Sequence, residues 1–137
     1  MITFSCENTD FPQIDRQKVS LWIRRVAAQY GCKIGQVNYI FCSDSRILEK
    51  NRQFLGHDYY TDIITFDYSA AKLLSGDIFI STDTVRSNAE DLGVQYEQEL
   101  HRVIIHGILH LTGQGDKTPE TEREMHRKED AALKLRS

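Results

Sequence analysis

The sequence lacks a long apolar run, an excess of basic residues and any internal repeat, and the first two absences exclude classes of protein. No apolar stretch approaches the length of a membrane-spanning helix, and the amino terminus has no basic segment followed by an apolar one. We therefore expect neither membrane insertion nor secretion. The chain has 17 Lys and Arg against 20 Asp and Glu, a formal net charge of −3, which argues against a globally basic nucleic-acid-binding protein. Any contact with nucleic acid must therefore use a local basic patch.

Cysteine is also scarce. Cys6, Cys32 and Cys42 are odd in number and include no C-x-x-C pair. This pattern favours reduced thiols and a cytoplasmic location. The 137 residues, of which 40% are hydrophobic and 27% charged, suit a single domain over residues 1–137 with one core.

Apolar periodicity divides the chain into strands and helices. Short runs rich in β-branched and aromatic residues predict four strands, and the last two are expected to pair as an antiparallel hairpin. Runs of helical spacing with capping residues predict five helices. We therefore expect an α+β fold, an α/β sandwich whose mixed sheet has about four strands and about five helices. The predicted strands are residues 2–7, 37–42, 63–68 and 77–81, and the predicted helices are about 15–30, 44–55, 83–92, 95–111 and 119–135.

Burial can be predicted for several of these elements. The strand 37–42 is nearly all apolar, so we expect it to be covered on both faces. Helical spacing places Phe54 and Leu55 on the inward side of the second helix, and Trp22 in the core. The last helix carries many charges, which we interpret as a solvated face.

Residues 106–116 contain polar side chains that packing does not explain. His106 and His110 are four residues apart in the helix predicted over 95–111, so both rings can bind one ion from the same side. This helix is apolar nearly all round, so neither ring can simply be solvated. A buried polar group without a partner costs about 1–3 kcal/mol. The two imidazoles therefore need a specific partner, and neutral imidazole is the commonest metal ligand in proteins.

The residues beyond the second histidine extend this pattern. Gly113 suits the left-handed end of a helix, and the chain reversal there can carry Asp116 back toward the rings. Two nitrogens and one carboxylate oxygen, with a fourth position open, resemble the ligand set of a catalytic zinc site, although nickel or iron also suits these atoms. The alternative is a pair of core histidines hydrogen-bonded to backbone carbonyls.

The segment from His106 to Gly113 follows the pattern H-G-x-L-H-L-x-G and resembles the signature of the YbeY family of single-strand-specific endoribonucleases and rRNA maturation factors. The resemblance implies a ligand helix packed in a cleft of a mixed sheet, one zinc ion, no organic cofactor, and ribosomal RNA or the ribosomal subunit as partner. In most members the third ligand is a histidine, and here that position is Asp116. The implied metal ligands are therefore His106, His110 and Asp116. A carboxylate lowers the net charge of the site, so its bound water should be slightly less acidic than with three histidines.

A second block of the family normally reads as an Asn, an Arg shortly before a Gly, and then Pro-Thr-Asp-Val-Leu-Ser-Phe. Thr61, Asp62 and Phe66 match this block. Leu55 occupies the position of the family Arg, which is implicated in handling phosphate, so this chain departs from the pattern. Arg52, one helical turn earlier, is a candidate substitute.

The type of reaction catalysed at such a site can be narrowed further. The zinc peptidase signature H-E-x-x-H places a glutamate after the first histidine, but that residue is Gly107 here, which argues against a peptidase. Phosphodiester cleavage suits the site if cations steady the extra negative charge of the transition state. Arg102, one turn before His106, and Lys117, beside the third ligand, are the predicted phosphate contacts.

Two functions therefore stay open from the sequence. The first is a metal-dependent endoribonuclease that cuts single-stranded RNA in rRNA maturation and ribosome quality control. The second is a ribosome-assembly or RNA-binding module in which zinc only stabilises the fold, which the acidic composition favours. Of the remaining histidines, we interpret His57 as a candidate for the cleft lining, His101 as a boundary residue of its helix and His126 as a surface residue.

Overall fold

The computed structural model describes residues 1–56 and 61–136. Within these ranges the chain forms four strands, five α-helices and one short π-helix, and the strands and α-helices follow the order that the periodicity predicts. The elements are β1 (Ile2–Glu7), α1 (Arg16–Gln29), β2 (Lys33–Cys42), α2 (Asp44–Lys50), the π-helix (Asn51–Leu55), β3 (Ile63–Asp67), β4 (Leu73–Ser81), α3 (Thr82–Leu92), α4 (Tyr96–Leu111) and α5 (Pro119–Leu133).

The four strands form one mixed sheet in the order β1-β2-β4-β3. Strands β1, β2 and β4 are parallel, whereas β3 is antiparallel to β4, with Ile63 opposite Ile80. The predicted α+β class and the predicted hairpin are therefore confirmed. Strand β4 begins at Leu73, four residues before its predicted start, because the tight turn at Ala71 (φ 54°) returns the chain at once to the sheet. Strand β3 is an edge strand, and its outer side is the wall of a groove that leads to His106 and His110.

Helices α1, α3, α4 and α5 contribute to the main core on one face of the sheet, whereas Ile47 of α2 packs on the other face with Cys42 and Ile64. Val37, Tyr39 and Phe41 of β2 point into the main core and are fully buried. On the opposite face, Asn38 accepts a hydrogen bond from the Thr3 hydroxyl at 2.6 Å and donates one to the Asp77 carboxylate. The prediction that this strand is covered on both faces is therefore confirmed at Cys42, which is buried against Ile47 of α2, and wrong at Asn38, whose polar side chain is only half-buried.

Helices α1, α4 and α5 pack together over the sheet. Trp22 of α1 is buried as predicted, and its indole N–H donates to the carbonyl of Ala132 in α5 at 2.8 Å. The hydroxyl of Tyr39 donates to the carbonyl of Ile104 at 2.7 Å, which joins α4 to the centre of the sheet. Helix α4 approaches the sheet closely at Gly107, where an added Cβ would lie 2.9 Å from the Cδ1 atom of Ile78. The core thus fixes α4, the helix that carries both candidate histidines.

The second helix departs from the prediction after Lys50. The chain continues as a π-helix, which has more residues per turn than an α-helix and so shifts the direction of the following side chains. Asn51 is buried, whereas Phe54 and Leu55 are exposed by 53% and 44%. The prediction that these two residues face inward is therefore wrong. None of the helices in the part of the chain that the structure describes is long and apolar enough to cross a membrane.

Candidate metal centre

The carboxyl-terminal half of α4 presents two imidazoles side by side. His106 and His110 lie one turn apart, with their Nε2 atoms 3.0 Å from each other. The helix ends at Leu111, and Gly113 adopts the left-handed conformation (φ 103°) that the sequence predicts for the reversal. The reversal brings Asp116 back, so that its Oδ2 atom lies 3.3 Å from the Nε2 atom of each ring. The structure thus gathers the three residues that the sequence singles out.

Hydrogen bonds on the far side of each ring define which nitrogen carries the proton. The Nδ1 atom of His110 lies 2.9 Å from the carbonyl oxygen of Gln114, which can only accept, so Nδ1 donates. The Nδ1 atom of His106 lies 2.6 Å from the Oε2 atom of Glu129 and donates to that carboxylate. In neutral imidazoles both Nε2 atoms therefore carry lone pairs. These lone pairs converge with the carboxylate oxygen of Asp116 on one point.

Such an arrangement favours a cation. Three acceptor atoms separated by 3.0–3.3 Å repel one another unless a positive charge lies between them. A tetrahedral zinc ion with ligand bonds of 2.0–2.1 Å has ligand atoms about 3.3 Å apart, which agrees with these separations. The group of His106, His110 and Asp116 could therefore hold a metal ion.

The pKa values around the centre follow from the same charges. Burial lowers the pKa of His106, but the hydrogen bond to Glu129 and the charges of Glu129, Asp116 and Asp62 outweigh it, so the net shift is upward. The pKa of Glu129 is lowered on balance: burial opposes the shift, while His106 and Arg102 drive it. The raised pKa of His106 and the lowered pKa of Glu129 both indicate surroundings that favour positive charge at His106. A proton or a metal ion can provide that charge.

Glu129 is the principal group that sequence reasoning misses. It belongs to α5, whose charges the sequence assigns to a solvated face, yet its side chain is buried, with 2% exposure for the residue. That interpretation is wrong at this position, because Glu129 shares the inward side of α5 with Met125 and Ala132. Its spacing of four and three residues from these apolar neighbours is the signal that could have identified it.

Asp62 is a second acidic group beside the ligands. It precedes β3 and, among the described residues, is the one non-ligand residue that lines both of the cavities flanking the centre. Burial raises the pKa of this carboxyl, and the charge of His106 only partly offsets the effect. The sequence includes Asp62 in the second family block but does not indicate its role.

The two cavities differ in charge. The first, the acidic pocket, has a volume of about 330 Å³ and lies between α4 and α5. The second, the β3 groove, has a volume of about 520 Å³ and runs along the edge strand to the three candidate ligands. Glu99, Glu122 and Glu129 line the acidic pocket in addition to Asp62 and Asp116. The β3 groove shares Asp62 and Asp116 and adds Asp67, but it also adds Lys117 and has fewer carboxylates than the acidic pocket, so it is the less repulsive path for an anion.

The predicted phosphate contacts occupy different places. Lys117 is exposed and lines the β3 groove, next to Asp116. Arg52 is exposed on the π-helix, where Leu55, the residue at the position of the family Arg, lines the same groove. Arg102 instead faces α5, where its guanidinium lies among carboxylates.

The other histidines lie away from the ligand set. His101 is 4% exposed, with its ring tilted against Trp22 and its Nδ1 atom 2.6 Å from the carbonyl of Glu97. The prediction of a boundary residue is therefore wrong, because α1 covers this side of α4. The His126 side chain is 60% exposed, as predicted. His57 lies outside the described residues, so its predicted place in the cleft stays a prediction.

Comparisons with known proteins agree with this arrangement. The family model described as Endoribonuclease YbeY matches residues 3–136. Proteins named Endoribonuclease YbeY from Bacteroides thetaiotaomicron and Phocaeicola vulgatus are 55% and 56% identical over 135 residues, which cover 98% of each chain in both pairs. The solution structure of a Thermotoga maritima protein is 27% identical, with a TM-score of 0.68, and the match covers 98% of this chain and 88% of that one. The chain therefore belongs to the endoribonuclease YbeY family.

Proposed function

We propose that this protein is a metal-dependent endoribonuclease that cuts single-stranded RNA during rRNA maturation and ribosome quality control. The observation that carries the proposal is the convergence of two imidazole lone pairs and one carboxylate oxygen at the end of an open groove. Relatives named Endoribonuclease YbeY that are more than 50% identical support the nuclease activity. The single-strand preference, the rRNA role and a cytoplasmic location come from the sequence and its resemblance, and they stay predictions.

The cofactor that we propose is one zinc ion held by His106, His110 and Asp116. The two nitrogens and one oxygen fit zinc, and three protein ligands leave a position for water or substrate. When bound, the ion would polarise the scissile phosphate as a Lewis acid and lower the pKa of a water ligand toward ~7. Nickel or iron would suit the same atoms, so metal analysis of the purified protein is needed to identify the ion.

Other residues of the chain would accept the proton and contact the phosphates. Asp62 lies beside the ligands at the junction of both cavities, and we propose its carboxylate as the group that accepts a proton from the attacking water. Lys117 lies along the β3 groove, where its ammonium group can contact a phosphate of the bound strand. Arg52 remains a candidate for a second phosphate contact, since it is exposed on the helix that borders the groove.

The experiment that tests the proposal uses the purified protein, a single-stranded RNA oligonucleotide and its duplex. We expect cleavage of the single strand, loss of cleavage on addition of a chelator, and recovery on addition of zinc. Circular dichroism of the chelated protein separates the two functions that the sequence leaves open. An active parent that stays folded without metal supports the nuclease, whereas an inactive parent that unfolds on chelation supports the module with a structural zinc ion.

A matched pair of variants sharpens the test. His110→Ala removes one ligand, so we expect it to abolish both stoichiometric metal binding and cleavage. Gln98→Ala alters an exposed residue of the same helix that lines neither cavity beside the centre, so it serves as the control. Cleavage that persists in metal-free His110→Ala would refute the proposal.

A further inference from the structure

Helix α5 places a buried carboxylate directly behind one of the candidate ligands. The Oε2 atom of Glu129 lies 2.6 Å from the Nδ1 atom of His106. The Oε1 atom of Glu129 accepts a hydrogen bond from the Nη1 atom of Arg102 at 3.1 Å. A buried carboxylate is costly unless its charge is compensated, and here each of its oxygens has a cationic or N–H partner. The arrangement joins α4 to α5 at the turn before the metal centre.

The guanidinium of Arg102 is surrounded by carboxylates. In addition to Glu129, its guanidinium contacts the carboxylate of Asp130 at 3.0 Å and that of Glu99 at 3.7 Å. Three carboxylates around one guanidinium leave little positive charge for a phosphate. The phosphate contact that the sequence suggests for Arg102 stays a prediction, and these ion pairs argue against it.

We propose that Arg102 and Glu129 form a positioning pair, in which Arg102 directs one carboxylate oxygen of Glu129 to itself and so presents the other to His106, fixing the ring for metal binding. The inference rests on the metal centre of the proposed function. The proton held on Nδ1 leaves the Nε2 lone pair of His106 directed at the point shared with His110 and Asp116.

The two histidines are positioned by different means. His110 donates to the carbonyl of Gln114, which belongs to the turn directly after its own helix. His106 depends on a residue 23 positions away, on another helix. Partners that hold a ligating histidine typically change metal affinity by about 10–100-fold when they are removed. The His106 side of the site is therefore coupled directly to the docking of α5.

The substitution Glu129→Gln tests whether Arg102 and Glu129 act as a pair. The glutamine amide has one acceptor and one donor end, whereas the carboxylate accepts at both ends. If the amide oxygen faces Arg102, its NH₂ group faces Nδ1 of His106 and favours the tautomer with the proton on Nε2, which blocks metal binding. If the oxygen faces His106, the NH₂ group opposes the guanidinium. Removing Arg102 relieves this conflict and lets the amide oxygen face His106.

The test measures zinc affinity by competition with a chromogenic chelator for the parent, Glu129→Gln, Arg102→Met and the double variant. We expect Glu129→Gln to weaken zinc binding by about 10–100-fold. We expect the same substitution in the Arg102→Met background to weaken it by no more than about threefold. Such non-additivity is the signature of a coupled pair, whereas equal losses in both backgrounds would overturn the inference. Glu120→Gln, on the same helix, exposed and outside both cavities, is the matched control.

Glu129→Asp provides a second variant with the charge retained. Its side chain is shorter by one methylene, so the short contact with His106 is lost while a negative charge stays in place. We expect about tenfold weaker zinc binding, and parent-like affinity would show that charge alone suffices and overturn the inference. RNA cleavage measured in parallel keeps the two proposals separate. A parent that binds zinc without cutting RNA contradicts the nuclease, whereas a cutting parent with additive variants contradicts only the positioning pair.

Discussion

Alanine substitutions at three glycines test how closely the atoms around the β3 groove and the metal centre are packed. An added Cβ at Gly76 in β4 would lie 2.4 Å from the carbonyl oxygen of Phe66 in β3 and 3.1 Å from the Cδ2 atom of Leu111. At Gly107 in α4 the nearest atoms belong to the side chain of Ile78, at 2.9 and 3.1 Å. At Gly115 no atom lies within 4 Å of the added Cβ. The series therefore runs from a backbone clash, through a side-chain clash, to open space.

The expected change in the free energy of unfolding depends on which atoms must move to make room for the added Cβ. At Gly76 the obstacle is backbone in the paired part of the hairpin, so relief requires separation of β3 from β4, and we expect a loss of about 2–3 kcal/mol. Alanine at Gly107 gains about 1 kcal/mol of helix propensity. Because Ile78 is fully buried, overpacking costs about 1–3 kcal/mol, and a net loss of about 1 kcal/mol follows. Gly115→Ala should lie within about 0.5 kcal/mol of the parent.

Urea unfolding of the chelated proteins, followed by circular dichroism, measures the series. The three variants should share the parent slope and differ in midpoint, since the surface exposed on unfolding is unchanged. Gly76→Ala should also reduce RNA cleavage when zinc is restored, because β3 forms the wall of the groove. The reasoning would be refuted by a Gly76→Ala protein as stable as Gly115→Ala, or by a larger loss at Gly107 than at Gly76.

Further predictions concern chemistry at single side chains. Burial raises the pKa of Cys42 to about 12, and Cys6 is exposed, so a thiol reagent at pH 8 should modify Cys6 quickly and Cys42 only after unfolding, which mass spectrometry can resolve. Asp62→Asn should reduce kcat by about 10²–10⁴-fold with zinc affinity nearly unchanged, and a normal kcat would remove Asp62 from the mechanism. Lys117→Ala should raise KM for RNA by about tenfold and make it less dependent on salt. Arg127→Ala, which removes an exposed cation on α5 that is paired with Glu124, is its control and should leave KM unaltered.

The parts of the site that the sequence predicts are those built from local chain. A spacing of four residues places His106 and His110 on one side of α4, and Gly113 reverses the chain within a few residues to return Asp116. Each of these relations lies within about ten residues and depends on helix geometry and on the conformational freedom of glycine. Periodicity predicts the strand and helix order for the same reason.

The missed parts depend on contacts between distant elements. A pattern of charges along α5 cannot show that Glu129 meets His106, since that contact depends on how α5 docks against α4. The exposure of Phe54 depends on a π-helix, whose spacing the 3.6-residue period does not describe. His101 is buried because α1 crosses its side of α4, which again only the packing reveals.

Two departures from the usual family pattern both make the charge of the site less positive. Asp116 provides a carboxylate where the resemblance implies a neutral histidine, and Leu55 stands where it implies a cation. A divalent ion at the centre would be balanced by the charges of Asp116 and Glu129, while Arg102 is balanced by its other carboxylates. The centre therefore offers no net positive charge to an approaching phosphate. Lys117 is the lysine that lines the β3 groove, which also contains Asp67, so it should contribute more to substrate binding here than in a relative that has three histidines and the arginine.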